Sequence, residues 1–184
     1  HIPLQSGDDN ILNRMNRHYT IKEYLNLIKK IRKNIPHISL TTDILVGFPG
    51  ETDSHFENTL RAVKKTSFSR AHIFPYSIRP GTASSKFFVK DAVPYNIIKE
   101  RIEILENLVK ESSLKYRRKF IGKIAEVLAE SKIGKFTLLD SKHLTGFTQL
   151  LTGYTDTYIN VLIDADSTPV SYTHLRAHET GRNL

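Results

Sequence analysis

The sequence predicts an α/β protein in two parts: three parallel βα units, then a small, truncated all-β barrel. In the first part, three short apolar strands each run into a helical pattern, which indicates parallel βα units. Beyond Gly122 the pattern changes to short segments of alternating polarity, which are typical of antiparallel strands. We therefore expect one domain over residues 1–121 and a second over residues 122–169.

The first predicted unit begins with residues 1–8, an apolar stretch that ends in polar residues and Gly7. A short helical pattern follows it. Thr20 and Glu23 then have the spacing of a capping box, so we expect an amphipathic helix to begin there. Pro36 cannot continue a helix and should end this one.

The second unit is the most informative part of the sequence. Residues 41–47 are typical of a buried strand, and residues 48–51 place Pro and Gly where a type II turn requires them. Asp43, Leu45 and Gly47 alternate onto one face of the strand. A carboxylate, an apolar contact and bare backbone on one face indicate a site for a polar ligand that carries a flat apolar part.

The remaining elements of the first domain follow from caps and apolar spacing. Thr52 or Asp53 should cap a helix, and residues 71–77 form the third strand. After a loop over residues 77–93, a long helix is expected over residues 94–120. The apolar positions that we expect to be buried are Phe56, Leu60 and Val63 on the first helix and Ile97, Ile98, Ile102, Leu105, Leu108 and Leu114 on the second.

The second domain should be a small antiparallel barrel. Its predicted strands are residues 124–130, 135–139, 146–151 and 158–163. Residues 170–184 continue no strand pattern and resemble the translation of a sequencing adapter, so we expect a non-native tail there. His174 and His178 have helical spacing but no third ligand, so we predict no metal site.

Composition limits the possible functions. The 184 residues include no Cys, which excludes disulfides and any cysteine-ligated zinc or iron–sulfur site within this sequence. The net charge is +8, and basic residues cluster over residues 11–36 and 110–123, as expected for contact with a phosphate backbone. Solvated helix faces would explain these clusters as well. No apolar run approaches a membrane span, and we expect a cytoplasmic monomer.

Four motifs in order carry a family resemblance: HIPLQSGDD, LNRMNRHYT, TTDILVGFPGET and HIFPYSIRPGTAS. Together they resemble the second half of a radical S-adenosylmethionine (SAM) methylthiotransferase, over roughly residues 1–165. The resemblance implies that the three βα units are the last three of a partial TIM-type barrel. The pattern is most similar to the tRNA branch that acts on threonylcarbamoyladenosine. Ser6 and Arg79 stand where the ribosomal protein S12 branch typically has His and an acidic residue. Residues 151–158 and the next strand resemble a TRAM domain, a small RNA-binding barrel.

The resemblance implies where SAM would bind. Gln5 and Asp43 would bind the ribose hydroxyls, and Arg17 would pair with the methionyl carboxylate. Leu45 and Gly47 would flank the adenine. Two further residues at strand ends, Ser6 and Tyr76, complete the predicted cofactor-binding set. A surface cation for Arg17 and a structural ion pair for Asp43 are the alternative interpretations.

The implied partner is tRNA. The predicted RNA-binding residues are Arg79, Lys115, Arg117, Arg118 and Lys119. The implied reaction adds a methylthio group to carbon 2 of N6-threonylcarbamoyladenosine next to the anticodon, using SAM and two 4Fe–4S clusters. The cluster cysteines are absent here, so we expect a fragment that is inactive alone and has no catalytic residue of its own. Alternatives are an isopentenyladenosine or ribosomal protein S12 methylthiotransferase, or a non-enzymatic RNA-binding module.

Overall fold

The computed structural model describes residues 1–78, 81, 90–133, 150–164 and 172–176, and the chain divides into two compact units, His1–Tyr116 and Arg117–Leu184. The predicted domain boundary lies at residues 121–122. The helices are α1 (Asp9–Arg14), α2 (Ile21–Asn34), α3 (Asp53–Thr66) and α4 (Tyr95–Arg118). The strands are β1 (Thr41–Val46), β2 (Arg70–Pro75), β3 (Ile124–Ile133), β4 (Leu150–Thr155), β5 (Asn160–Asp164) and β6 (Tyr172–Arg176).

The three strand segments of the first unit are parallel neighbours. β1 and β2 pair in parallel along their whole length. On the other edge of β1, Gln5 forms a parallel bridge with Ile44. Its N–H donates to the Asp43 carbonyl at 2.8 Å, and its carbonyl accepts from the Leu45 N–H at 2.9 Å. The predicted parallel direction is therefore observed for all three segments, although the first pairs through a single bridge and is not a regular strand.

β1 has two different faces, as predicted. Thr42, Ile44 and Val46 are buried, whereas Asp43 and Leu45 are half-buried. The buried face belongs to one apolar core that includes residues of α2, α3 and α4. The core residues with the least exposure are Leu4, Ile44, Val46, Val63, Phe68 and Leu105. The other face of β1 is left available for a site.

The helix starts follow the predicted caps. Thr20 and Glu23 form the expected capping box, and Thr52 accepts from the His55 N–H at the start of α3. On α4, Ile98 and Leu105 are buried as predicted. Arg101 is buried between them, and the apolar pattern did not predict that.

The described strands of the second unit form one antiparallel sheet in the order β5-β4-β3-β6. Its antiparallel character was predicted, but the strand limits differ. Residues 146–149 of the predicted strand over residues 146–151 lie outside the described residues. Residues 150 and 151 begin β4, which continues through Gly153. A Cβ at that position would meet the Leu128 carbonyl of the neighbouring strand, so glycine permits the close approach. The predicted strand over residues 135–139 lies outside the described residues.

The C-terminal tail corrects one prediction. Residues 172–176 were expected to continue no strand pattern, yet they form β6, antiparallel to β3. An unpaired strand edge offers a row of backbone donors and acceptors, so β3 can pair with a segment that has no clear periodicity of its own. Among the helices that the structure describes, none is long and apolar enough to cross a membrane.

Candidate functional site

A cavity of about 280 Å³ lies at the ends of the three parallel strand segments. Four of the predicted cofactor-binding residues meet there: Gln5, Arg17, Leu45 and Tyr76. The other residues lining it, which sequence reasoning missed, are Arg14, Met15, Asn16 and Phe48. The cavity therefore has a basic side and an apolar side.

The polar side is built from Gln5 and Arg17. The Arg17 guanidinium donates to the Gln5 side-chain oxygen at 3.3 Å. Gln5 has φ of 61°, in the left-handed region that non-glycine residues seldom occupy. Its two backbone hydrogen bonds to β1 hold it there. Strain of this kind is concentrated at functional sites, which favours a role for Gln5 beyond folding.

Arg17 reaches the cavity because α1 ends abruptly. Asn16 follows the helix with φ of 56°, a left-handed residue of the kind that commonly ends helices. The Arg17 N–H then donates to the Leu12 carbonyl at 2.9 Å, so the chain doubles back toward the strand ends. An Asn directly after an apolar helical pattern is the sequence signal that could have predicted this end.

The apolar side is an aromatic corner. The rings of Phe48 and Tyr76 stand edge to face, with centroids 5.3 Å apart and planes at 74°. The Tyr76 N–H donates to the Val46 carbonyl at 2.7 Å, which ties the end of β2 to β1. With Leu45 beside them, these side chains give a surface that suits a flat apolar group.

The predicted type II turn follows β1. The Glu51 N–H donates to the Phe48 carbonyl at 2.9 Å, and Gly50 has φ of 82°. The Arg14 guanidinium lies against Gly50, 3.0 Å from where a Cβ would be, and donates to Asp91 at 2.8 Å. The Gly50 N–H donates to the Asp91 carbonyl at 2.8 Å. The turn therefore forms the rim of the cavity.

A buried ion pair anchors this turn to α4. Glu51 accepts from the Gly47 N–H at 2.8 Å and from Arg101 at 3.1 Å, and both charged side chains are almost fully buried. Arg101 also donates to the Glu51 carbonyl at 3.1 Å and to Asp53 at 2.7 Å. Burial raises the pKa of Glu51, although its hydrogen bond from Gly47 and its pairing with Arg101 oppose that shift. The buried Arg101–Glu51 pair is called the brace below. An Arg within the apolar stripe of α4 is the sequence signal that could have predicted it.

Three predicted cofactor-binding residues are not among those lining the cavity. Ser6 is buried, and its hydroxyl lies 3.4 Å from that of Thr59 on α3. Gly47 has φ of 79°, and the side chain of Ile98 fills the place of a Cβ, so it packs against α4. Asp43 is half-buried and accepts from the His1 ring at 3.3 Å. Of these, Asp43 lies on the same face of β1 as Leu45.

The predicted RNA-binding residues differ in exposure. Lys115, Arg118 and Lys119 are exposed, whereas Arg117 is half-buried. Lys115 and Arg118 are three residues apart on α4, so both lie on one side of that helix. Arg79 lies outside the described residues.

Comparisons with known proteins identify similar sequences. Residues 1–63 match the model of the radical SAM superfamily. The chain is 46% identical over 138 residues to a "Threonylcarbamoyladenosine tRNA methylthiotransferase MtaB" of Thermotoga maritima, covering 75% of this chain and 31% of that protein. It is 43% identical over 145 residues to a "tRNA-2-methylthio-N(6)-dimethylallyladenosine synthase" of Caldicellulosiruptor saccharolyticus, covering 79% of this chain and 30% of that protein.

A protein of the latter name from Clostridium botulinum is 42% identical over 167 residues, covering 91% of this chain and 35% of its own length. The chain thus spans about a third of the length of the curated relatives it matches. Residues 1–63, which match the superfamily model, include Gln5, Arg17 and Asp43. Over the residues compared, the chain belongs to the radical SAM methylthiotransferase family.

Proposed function

We propose that this chain supplies half of the SAM cradle, and part of the tRNA platform, of an enzyme that methylthiolates carbon 2 of N6-threonylcarbamoyladenosine next to the anticodon. The observation that carries the proposal is the cavity in which Gln5, Arg17, Leu45 and Tyr76 meet. SAM is the source of the radical chemistry and of the methyl group in this proposal.

The residues of the cavity fit SAM. The Arg17 guanidinium suits a carboxylate, and Gln5 orients it while keeping an amide available for hydroxyl groups. Leu45, Phe48 and Tyr76 offer flat apolar surface for adenine. In this arrangement Asp43 would reach the ribose from the same face of β1, after exchanging its contact with His1.

The same residues do not fit an iron–sulfur cluster. The sequence contains no Cys, so it offers no thiolate ligand. We propose that any cluster ligands are supplied from outside this sequence, and we assign no step of the reaction to a cluster here. The small second domain is proposed to be a TRAM-like barrel, with residues 170–184 as a non-native tail.

The tRNA platform is proposed to use the cations at the end of α4. Lys115, Arg118 and Lys119 are exposed and suited to phosphate contacts. Arg79 stays a predicted RNA contact. The cytoplasmic location and the monomeric state that the sequence favours remain predictions.

A second substrate is favoured by a specific observation. Several relatives of 42–46% identity are named as dimethylallyladenosine synthases, so the modified base could carry a neutral dimethylallyl group in place of the acidic threonylcarbamoyl group. Action on ribosomal protein S12 and a purely RNA-binding role are further alternatives.

A chimera tests the proposal. The segment of the Thermotoga maritima relative that matches this chain would be replaced by this chain's residues, so that the relative supplies the rest of the enzyme. The chimera is expressed in a host that lacks its own methylthiotransferases, and its tRNA nucleosides are analysed by mass spectrometry. We expect methylthiolated threonylcarbamoyladenosine. Methylthiolated dimethylallyladenosine would assign the alternative substrate, and a folded chimera with neither product would refute the enzyme.

A further inference from the structure

The strand segment that carries Gln5 ends in a very tight turn. The Ser6 N–H donates to the Leu4 carbonyl at 2.7 Å, and Gln5 between them has φ of 61°. A hydrogen bond between residues two apart, around a residue of positive φ, is the rare and strained form of the γ-turn. A strained turn persists only where its surroundings hold it, so the contacts of Leu4 and Gln5 determine the direction of the Gln5 side chain.

Tyr19 makes one of these contacts. Its hydroxyl donates to the Leu4 carbonyl at 3.0 Å and lies 3.3 Å from the Pro3 carbonyl oxygen. The Leu4 carbonyl therefore accepts two hydrogen bonds, one that closes the γ-turn and one from Tyr19. Burial raises the pKa of Tyr19 above its ordinary value of 10.0, although the charge of nearby Arg17 opposes that shift, so the hydroxyl keeps its proton near neutral pH.

Side-chain hydroxyls replace part of the strand ladder along this segment, which pairs with β1 through one bridge. The Leu4 N–H donates to the Thr42 hydroxyl at 2.8 Å, and that hydroxyl donates to the Ile2 carbonyl at 2.9 Å. The Tyr24 hydroxyl donates to the same Ile2 carbonyl at 2.8 Å. Two tyrosine hydroxyls thus hold the segment, Tyr24 at its start and Tyr19 at the turn where it ends.

The chain after α1 contacts two neighbouring residues of the turn. Arg17 donates to the Gln5 side-chain oxygen, and Tyr19, two residues later, donates to the Leu4 carbonyl. A shift of Tyr19 would therefore move Arg17 and loosen Gln5 together. Tyr19 is not among the residues that line the cavity, so an effect on a ligand there has to pass through the residues that are.

We propose that Tyr19 is a positioning residue for the polar side of the cavity. Its hydroxyl holds the γ-turn at Gln5 and, through the loop that they share, the Arg17 guanidinium. That the ligand positioned in this way is SAM rests on the proposed function. The hydroxyl adds affinity because Gln5 and Arg17 are already in place when the ligand arrives.

The chain offers a matched control. Tyr19→Phe and Tyr24→Phe each remove one hydroxyl from the same pair of rings, whose centroids lie 6.1 Å apart. Each hydroxyl donates to a carbonyl of the same segment. Both carbonyls keep a second hydrogen-bond donor after the change, so both variants should fold. A purely structural role predicts the same result for the two variants, whereas a positioning role predicts an effect at the cavity from Tyr19→Phe alone.

The first measurement needs no ligand and uses NMR on the full 184-residue chain. We expect Tyr19→Phe to shift the resonances of Gln5 and Arg17 and to speed hydrogen exchange of the Ser6 amide about 3- to 12-fold, because the γ-turn loses one support. Tyr24→Phe should leave these signals unchanged, although it should lower the unfolding temperature at least as much. Unchanged signals in Tyr19→Phe, or equal changes in both variants, would overturn the proposal.

The second measurement is SAM binding by the chimera described above, followed by calorimetry. Tyr19→Phe should weaken binding about 3- to 12-fold, and Tyr24→Phe less than about 2-fold. A chimera that binds SAM equally well with and without the Tyr19 hydroxyl would overturn the proposal, as would equal losses in both variants. If the unmodified chimera binds no SAM, the proposed function is refuted, and the ligand-free NMR comparison still decides whether Tyr19 positions Gln5 and Arg17.

Discussion

The turn after β1 and the hairpin turn between β4 and β5 both require a left-handed residue, and the chain meets that requirement in opposite ways. At the first turn the residues are Gly47 and Gly50, and neighbouring side chains fill the space that a Cβ would take. At the second the residue is Tyr158, which is almost fully exposed. Where neighbouring side chains pack against a left-handed residue, they restrict that residue to glycine. Where the left-handed residue is exposed to solvent, packing does not restrict its side chain.

The two turns are also held by different forces. Buried charges and α4 hold the first turn, whereas hydrogen bonds within the loop hold the second. The first should consequently be sensitive to changes far away along the chain, and the second only to changes in the loop itself.

The largest expected effect comes from the buried brace of the first turn. Arg101→Met leaves Glu51 buried without its cation, so we expect the free energy of unfolding to fall by about 3–5 kcal/mol. The matched control is Arg61→Met, which removes an exposed pair with Glu57 and should change stability by less than about 1 kcal/mol. Urea unfolding of both variants measures the difference, and equal stabilities would show that the brace does not hold the turn.

The next effect compares two glycines with nearly the same backbone. Gly47→Ala drives a Cβ into Ile98 at a left-handed position, so we expect a loss of about 2–4 kcal/mol. Gly122 has a similar φ of 75°, but within the described part of the chain no atom lies within 4 Å of where its Cβ would be. Gly122→Ala should therefore show the backbone effect alone, about 1 kcal/mol. Similar losses in thermal unfolding would mean that packing against α4 is not what selects Gly47.

The third prediction concerns SAM binding in the cavity beside the turn after β1. Arg17→Ala should weaken SAM binding about 10- to 150-fold by removing a charge-assisted hydrogen bond. Calorimetry on the chimera with SAM and with decarboxylated SAM checks the partner. If Arg17 pairs with the methionyl carboxylate, the decarboxylated ligand should bind the variant and the unmodified protein alike. A variant that loses affinity for both ligands equally would remove the carboxylate from the pairing.

A smaller effect is expected from the exposed cations. Arg118→Glu should weaken tRNA binding by the chimera and lower the slope of affinity against salt by about one unit per lost phosphate contact. Arg117→Gln, at a half-buried position, should leave that slope nearly unchanged. If the tRNA affinities of the two variants depend equally on salt, the difference in exposure between Arg118 and Arg117 does not determine which of them contacts RNA.

The smallest effect is the pH dependence of the brace. Burial raises the pKa of Glu51 in the folded chain above its ordinary value of 4.5. The folded state then binds this proton more tightly than the unfolded state, so the contribution to stability is complete below that ordinary value and is lost as pH rises through the folded pKa. The free energy of unfolding is measured for the unmodified chain and for Glu51→Gln at several pH values. As pH rises, the unmodified chain should lose stability relative to Glu51→Gln. A difference that is constant with pH would contradict the shift.

Local signals in the sequence determined most of the elements. The boxes at Thr20 and Thr52 fix helix starts because their partners lie three residues away, and the Pro-Gly turn after β1 follows from the φ that each residue allows. The alternation in β1 predicted its two faces for the same reason. Such signals need no knowledge of the rest of the chain.

The tertiary structure decided what those local signals could not. It brought Gln5, Arg17, Leu45 and Tyr76 to one cavity, and it turned Gly47 toward α4, because strand order and helix packing set distances between residues far apart in sequence. It also buried Arg101, since its partner Glu51 lies 50 residues earlier in the chain. The sequence of α4 shows that a charged residue lies among apolar ones. Only the folded structure shows that Arg101 has a charged partner that allows it to be buried.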